Sequence, residues 1–217
     1  MDLFGALTPA SGPERIHGVV IAVVTQNRDP EKRGRVKLKF PWLSDTMESD
    51  WARVAAPGAG AQRGLAAIPE VNDEVLVAFE HGLFDRPYVL GGLWNGTDKP
   101  PEGLTDKVGQ VWMLRTAKGN RILLADTDNA EKVEIVTATG RSTITLDDKG
   151  TITIRAEGDL VIESTQGTVK ISGQKVEIRA QADLEVKAGN ELKQSGAQTE
   201  VQGQAQLTLK GGMVKIN

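Results

Sequence analysis

The sequence predicts an all-β protein in two parts: a small barrel, then a β-helical needle wound from several chains. Two observations carry that prediction. Over 142–217, pairs of aliphatic residues separated by one position recur about every eight residues: Ile144 with Leu146, Ile152 with Ile154, Leu160 with Ile162, Val169 with Ile171, Val176 with Ile178, Leu184 with Val186, Leu207 with Leu209, and Val214 with Ile216. Over 15–95, by contrast, about five β runs are separated by irregularly spaced turn signals. The i, i+2 spacing within each pair is the strand period, not that of a helix.

The first segment, 1–14, is acidic-first, with a short apolar patch and no basic stretch ahead of it, so it is expected to be a loose arm rather than a signal peptide. No apolar run reaches the 18–20 residues of a membrane span. The absence of Cys excludes a disulfide scaffold and thiol chemistry. With 39% hydrophobic and 25% charged residues, the 217-residue chain is expected to be soluble, in one or two domains. Its net charge of −3 gives no general pull towards nucleic acid or anionic membrane.

The barrel is expected over 15–95. Ile16, Val19-Val20-Ile21 and Val23-Val24 form a first β run, and a polar turn covers 27–34. Arg35-Val36-Lys37-Leu38-Lys39-Phe40 alternates cleanly and is stopped by Pro41. Further runs lie around 51–55, at 75–79 and at 88–90. About five strands with turns between them is the count of a small Greek-key barrel, and the oligonucleotide/oligosaccharide-binding (OB) type is the natural candidate. Residues 96–120 are read as a linker and the lead-in to the needle, and 121–217 as the needle itself.

The needle follows from the repeat. From 144 to 214 the first member of the pair advances in nine steps, a mean of about 7.8 residues. Val, Ile and Thr favour strands, and turn-formers such as Asp147-Asp148-Lys149-Gly150 and Glu157-Gly158-Asp159 sit between the pairs. Roughly twenty aliphatic side chains, at about 1.5–3 kcal/mol each, would forfeit on the order of 30–60 kcal/mol if left wet. The strip must therefore face copies of itself. A single-chain three-faced solenoid would have only about three coils, few for a stable stack. Three chains wound round one axis are favoured. The trimer core is then expected to be Ile144, Leu146, Ile152, Ile154, Leu160, Ile162, Val169, Ile171, Val176, Ile178, Leu184, Val186, Leu207 and Leu209, along a shaft of roughly 50 Å.

The barrel region also carries a resemblance. Asp29-Pro30, Gly34-Arg35-Val36-Lys37, Phe40-Pro41-Trp42, Trp51-Ala52-Arg53-Val54-Ala55, Asp73-Glu74-Val75-Leu76-Val77-Ala78-Phe79, His81-Gly82, Asp85-Arg86-Pro87 and Gly91-Gly92-Leu93-Trp94-Asn95 follow one another. Over about eighty residues this resembles the barrel domain of central spike proteins of contractile injection machines: phage baseplate assembly protein V, the phage cell-puncturing spike and the VgrG spike of type VI secretion. Downstream, 118–126 resembles the start of the family's needle, where the family usually has a His and this chain has Asn120. The resemblance implies a homotrimer whose three C-terminal segments wind into a triangular β-prism. It implies a structural spike of a contractile tail baseplate that punctures the target envelope, joined to a separate hub protein because the barrel starts close to Met1. The place implied is a virion tail baseplate or an equivalent particle, made in the bacterial cytoplasm.

Chemistry is expected to be absent. His17 and His81 are the only histidines, and no Cys accompanies them, so neither a metal site nor a triad is expected. Asp126-Thr127-Asp128-Asn129 lacks the Gly and the closing Glu of a calcium loop and reads as a turn. No catalytic residue, metal or cofactor is assigned.

Arg35, Lys37 and Lys39 share one face of a strand. With no aromatic interleaved they read first as a solvated strand face, and as a function they suit docking of the hub or a neighbouring baseplate component better than nucleic acid, for which no role is expected. Trp42, Trp51 and Trp94 read as core or subunit-contact residues. Gly211, Gly212, Met213, Val214, Lys215, Ile216 and Asn217 end on an uncapped strand, which points to a separate tip protein of the PAAR-repeat type seated there. Gln194 interrupts the apolar series, where threefold symmetry would bring three copies together. The rival reading is an OB-fold protein that binds nucleic acid or carbohydrate and carries a single-chain β-solenoid.

Overall fold

The computed structural model describes residues 15–44, 46–101, 104 and 110–215. Ten strands are described in two five-stranded sheets, and no α-helix is described. The chain divides into two units, Met1–Leu160 and Val161–Asn217.

The first sheet is made of β1 (Val19–Gln26), β2 (Lys37–Lys39), β3 (Arg53–Val54), β4 (Glu74–Phe79) and β5 (Pro87–Gly92). Its order is β2-β1-β4-β5-β3, with β3 parallel to β5 and the other pairs antiparallel. One further contact closes it. Val36, just before β2, exchanges both backbone hydrogen bonds with Ala52, just before β3, at 3.0 and 2.8 Å. The circuit β1-β2-β3-β5-β4-β1 is the Greek-key barrel expected of 15–95.

Alternation fills it. Ala22, Val24, Val36, Leu38, Val75, Val77 and Val89 point inward and are fully buried. Phe40, Phe79 and Phe84 close one side with ring centroids 5.3–5.6 Å apart, a spacing that adds directional ring contacts to plain burial. Val19 and Ile21, offset by one residue from the core positions, are exposed.

The second sheet was not expected in this form. It is a meander of β6 (Val111–Arg115), β7 (Arg121–Ala125), β8 (Lys132–Val136), β9 (Ser142–Asp147) and β10 (Ile152–Ala156), each antiparallel to the next. The lead-in over 96–120 thus contains a full strand. The first two repeat pairs face one another across a hairpin of a single chain, Ile144 opposite Ile154 and Leu146 opposite Ile152.

The reason lies in the turns. Each connection holds a left-handed residue, Gly119, Asn129, Gly140 or Gly150, and such residues let tight hairpins form locally. Asp147 secures the last turn, its Oδ1 accepting from the N–H of Lys149 and of Thr151. Asn120 accepts the Ala138 N–H at 2.8 Å and ties the β6–β7 turn to the β8–β9 turn. Asp126-Thr127-Asp128-Asn129 forms the β7–β8 turn, closed by the Ala130 N–H donating to Thr127.

Beyond β10 the chain has a different character. From 157 to 215 no strand is assigned among the described residues, and every one of them is exposed. Glu177 pairs with both Lys175 and Arg179, two positions to either side. These charges therefore share one side of the chain, with Val176 and Ile178 alternating against them. The strand periodicity is present while the strand hydrogen bonds are not.

The expected core residues are therefore not core residues of the single chain. Ile144, Leu146, Ile152 and Ile154 are exposed on the second sheet, and Leu160, Ile162, Val169, Ile171, Val176, Ile178, Leu184, Val186, Leu207 and Leu209 all stand open to solvent. Ile162, Ile171 and Val186, for example, are 68%, 72% and 61% exposed. The physical reason is that 157–215 forms no strand that could lay one pair over another, so nothing within the chain covers them. A single-chain solenoid would bury those pairs on itself, and this chain does not.

Candidate functional site

The second sheet carries an unusual face. Because neighbouring strands are in register, residues directly opposite share a side of the sheet. One row runs Trp112, Leu124, Val133, Leu146 and Ile152, and the next runs Leu114, Ile122, Ile135, Ile144 and Ile154. All ten are large, apolar and exposed, from 37% for Ile144 to 69% for Trp112. The second row, with Leu160, lines an open hollow of about 500 Å³.

The opposite side of the same strands mixes polar and apolar residues and is better covered. There Arg121 and Lys132 pair with Glu134 at 3.4 and 3.6 Å, and Ala125 and Val136 are buried. Covering ten such side chains would contribute on the order of 10 kcal/mol, since each is already partly shielded and full burial is worth about 1.5–3 kcal/mol. An exposed patch of this kind marks an interaction surface.

Six of the ten, Trp112, Leu114, Ile122, Leu124, Val133 and Ile135, lie outside the repeat that defines the expected trimer core. Their signal was available: the strings VWMLR, RILLA and KVEIV each place an apolar residue at alternate positions. They were hidden because the intervals between them are hairpin lengths rather than octads.

The basic cluster is arranged differently from expectation. Arg35 lies ahead of β2 and turns back on the β1–β2 connection. Its Nε and Nη2 donate to the two carboxylate oxygens of Asp29 at 2.9 and 2.8 Å, and Nη2 also reaches Glu31 at 3.0 Å. Asp29 accepts in addition from the backbone N–H of Glu31 and of Arg33. Its side chain is only 3% exposed. The Arg35 guanidinium holds the Asp29 carboxyl well below the usual carboxylate range against the opposing effect of desolvation, and Asp29 in turn raises Arg35.

Lys37 pairs with Glu48 at 3.3 Å. The fold also brings Trp51 to these cations, 5.9 Å from the Arg35 guanidinium and 5.7 Å from the Lys37 ammonium. Sequence spacing concealed that aromatic. Arg35 and Lys37 are thus engaged within the barrel, and Lys39 pairs in β2 with Val23. Trp42 and Trp94 are exposed, at 52% and 64%, so neither is a core residue of the single chain.

Gly211, Gly212, Met213, Val214 and Lys215 are exposed and outside any strand, while Ile216 and Asn217 lie outside the described residues. Gln194 is exposed as well. His17 precedes β1, and His81 sits in the left-handed turn after β4. Among the described residues no three His, Cys, Asp or Glu side chains are grouped to hold a metal ion. No helix among them is long and apolar enough to cross a membrane.

Residues 20–94 match the family described as the type VI secretion system/phage-baseplate injector OB domain. The chain is 34% identical over 137 residues to the type VI secretion system spike protein VgrG3 of Vibrio cholerae serotype O1, covering 58% of this chain and 13% of that protein. It is 37% identical over 123 residues to the type VI secretion system spike protein VgrG2a of Pseudomonas aeruginosa, covering 52% and 15%. It is 32% identical over 131 residues to the actin cross-linking toxin VgrG1 of Vibrio cholerae, covering 55% and 12%. The chain therefore spans a small fraction, 12–15%, of the length of these relatives.

Proposed function

We propose that this VgrG-like chain is the structural spike of a contractile injection apparatus, a homotrimer whose injector OB barrels surround the root of a three-chain needle. The observation that carries this reading is the run of apolar pairs from Leu160 to Leu209, every one exposed in the single chain. A segment that is neither disordered in composition nor buried on itself requires partners of the same periodicity, and copies of the chain supply them.

The role follows from shape rather than chemistry. Force applied at the barrel end passes along a shaft in which each strand would be hydrogen-bonded to another chain, so local opening of one chain breaks contacts with its neighbours. Charges such as Glu177, Glu185 and Lys193 lie on the outward side. A hub would hold the barrels, and a tip protein would cap 211–217. A hub surface built on Arg35, Lys37 and Lys39 must use their edges, since the charges of Arg35 and Lys37 are satisfied within the barrel. The toxin name belongs to a protein of which this chain matches 12%, whereas two other relatives are named spike proteins. Those names support a structural rather than an enzymatic reading.

Mass in solution tests it. Light scattering is expected to give three times 23.3 kDa, about 70 kDa. A value near 23.3 kDa would remove the spike reading.

A further inference from the structure

The two halves of the apolar series differ in what a single chain achieves. Over 111–156 every strand already has its hydrogen-bonded neighbour, and the ten apolar side chains stand in two finished rows. Over 161–215 the same alternation is present without a strand. One surface is preorganised and the other is not. Binding at a preorganised surface avoids the ordering entropy that the second segment must still lose.

The occupant of the finished face is indicated by continuity. Ile144, Leu146, Ile152 and Ile154 belong both to its rows and to the repeat that runs on to 214. Leu160, the next member of the repeat, lines the hollow over the second row. A surface that passes without interruption into a self-complementary repeat has the same kind of partner as that repeat. Its rows carry no charge, so a partner must be equally apolar across two rungs, and the same face of another copy meets that requirement.

We propose that the apolar face of β6–β10 is where copies of this chain first meet, and that this contact forms before 161–215 acquires strand structure and is required for it. The proposal rests on the assembled-spike reading and adds an order of events to it. The sheet is the nucleus, and the needle zips from it towards the C-terminus.

The test uses two variants of the full chain. Leu124→Lys/Ile135→Lys places charges at the centre of the sheet face, and Val176→Lys/Ile178→Lys places them in the repeat. Mass is read by light scattering, and order by hydrogen exchange over the barrel strands and over 161–215. The sheet variant is expected to fall from about 70 kDa to about 23.3 kDa, with fast exchange throughout 161–215 and an unchanged barrel. The repeat variant is expected to keep the higher mass and to lose protection in its needle.

Loss of association by both variants, or by the repeat variant alone, overturns the order of events, as does retention by both. A wild-type mass near 23.3 kDa instead removes the spike reading beneath it.

Because the lysines could unfold the sheet locally, a second pair of variants reads the same contact. The chain contains no Cys, so Ile135→Cys introduces a lone thiol on the face at little cost in hydrophobicity. Placed in the Val176→Lys/Ile178→Lys chain, it is expected to give disulfide-linked dimers on addition of oxidised glutathione. In this exchange one thiolate is first capped as a mixed disulfide, and the partner's thiolate then displaces glutathione thiolate. Thr145→Cys, on the other side of β9, is expected to give none. Equal cross-linking at the two positions, or none at 135, overturns the proposal.

Discussion

Asp29 shows how one carboxylate can organise a turn. It binds the N–H groups of Glu31 and Arg33 and both faces of the Arg35 fork, so the β1–β2 connection is fixed by a single buried side chain. Asp29→Asn keeps the shape and removes the charge. At neutral pH it is expected to lower the barrel's Tm by several degrees. The sign of the pH dependence follows from the depressed carboxyl. Its contribution is fully present above its ordinary value of 3.8 and is lost as pH falls through the lower folded value. The gap between wild type and variant should thus be constant above about pH 5 and narrow below about pH 4. Thermal melts across that range, followed by the near-ultraviolet signal, would measure it. The Asp29–Arg35 pair was not legible in the sequence. The partners are six positions apart, and nothing in spacing alone says that Arg35 folds back rather than pointing outward with Lys37 and Lys39.

At the scale of elements, the barrel strands were readable because alternation and turn residues agreed. Lys37–Lys39 and Glu74–Phe79 fall where the pattern placed them. Closure was not readable, since alternation marks the runs that hold Val36 and Ala52 as strands without saying that they bridge each other. The meander was missed for a related reason: its strands share the i, i+2 signature of the octads, and only the left-handed turn residues separate a hairpin from a winding rung.

The turn after β4 offers a local check. His81 and Gly82 both have positive φ, and Gly82 accepts the Ile16 N–H at 3.0 Å. A Cβ at Gly82 would approach the Ile16 carbonyl oxygen to 3.1 Å. Gly82→Ala is expected to cost about 1–2 kcal/mol of barrel stability, seen as a lower midpoint in urea unfolding with unchanged slope.

For the whole molecule, the proposed assembly would couple stability to association. The barrel has a complete core of its own, from Ala22 to Val89, while 157–215 buries nothing within one chain. Heating is therefore expected to show a concentration-dependent transition for the needle and a concentration-independent one for the barrel. Differential scanning calorimetry over a hundredfold range of protein would separate them. A single transition indifferent to concentration would contradict the coupling. Limited proteolysis of dissociated chains should likewise cut beyond Leu160 and spare the strands of the barrel and of β6–β10. The uncovered apolar strip was plain in the sequence, because no other segment is long and apolar enough to cover it. That the exposed apolar face starts at β6 rather than β9 emerged only from strand registers.

One consequence of the exposed repeat concerns how such a shaft can change over generations. Since no residue from 161 to 215 leans on another part of its own chain for a strand partner, a whole unit can be lost or duplicated and leave the barrel's contacts untouched. Reach then becomes a quantity that copying errors can tune in steps of one rung. Deleting 176–183, one full interval of the repeat, should shorten the assembled particle by about 4.8 Å with its threefold mass ratio intact. Deleting four residues instead throws the apolar pairs out of phase and should prevent ordering beyond the cut.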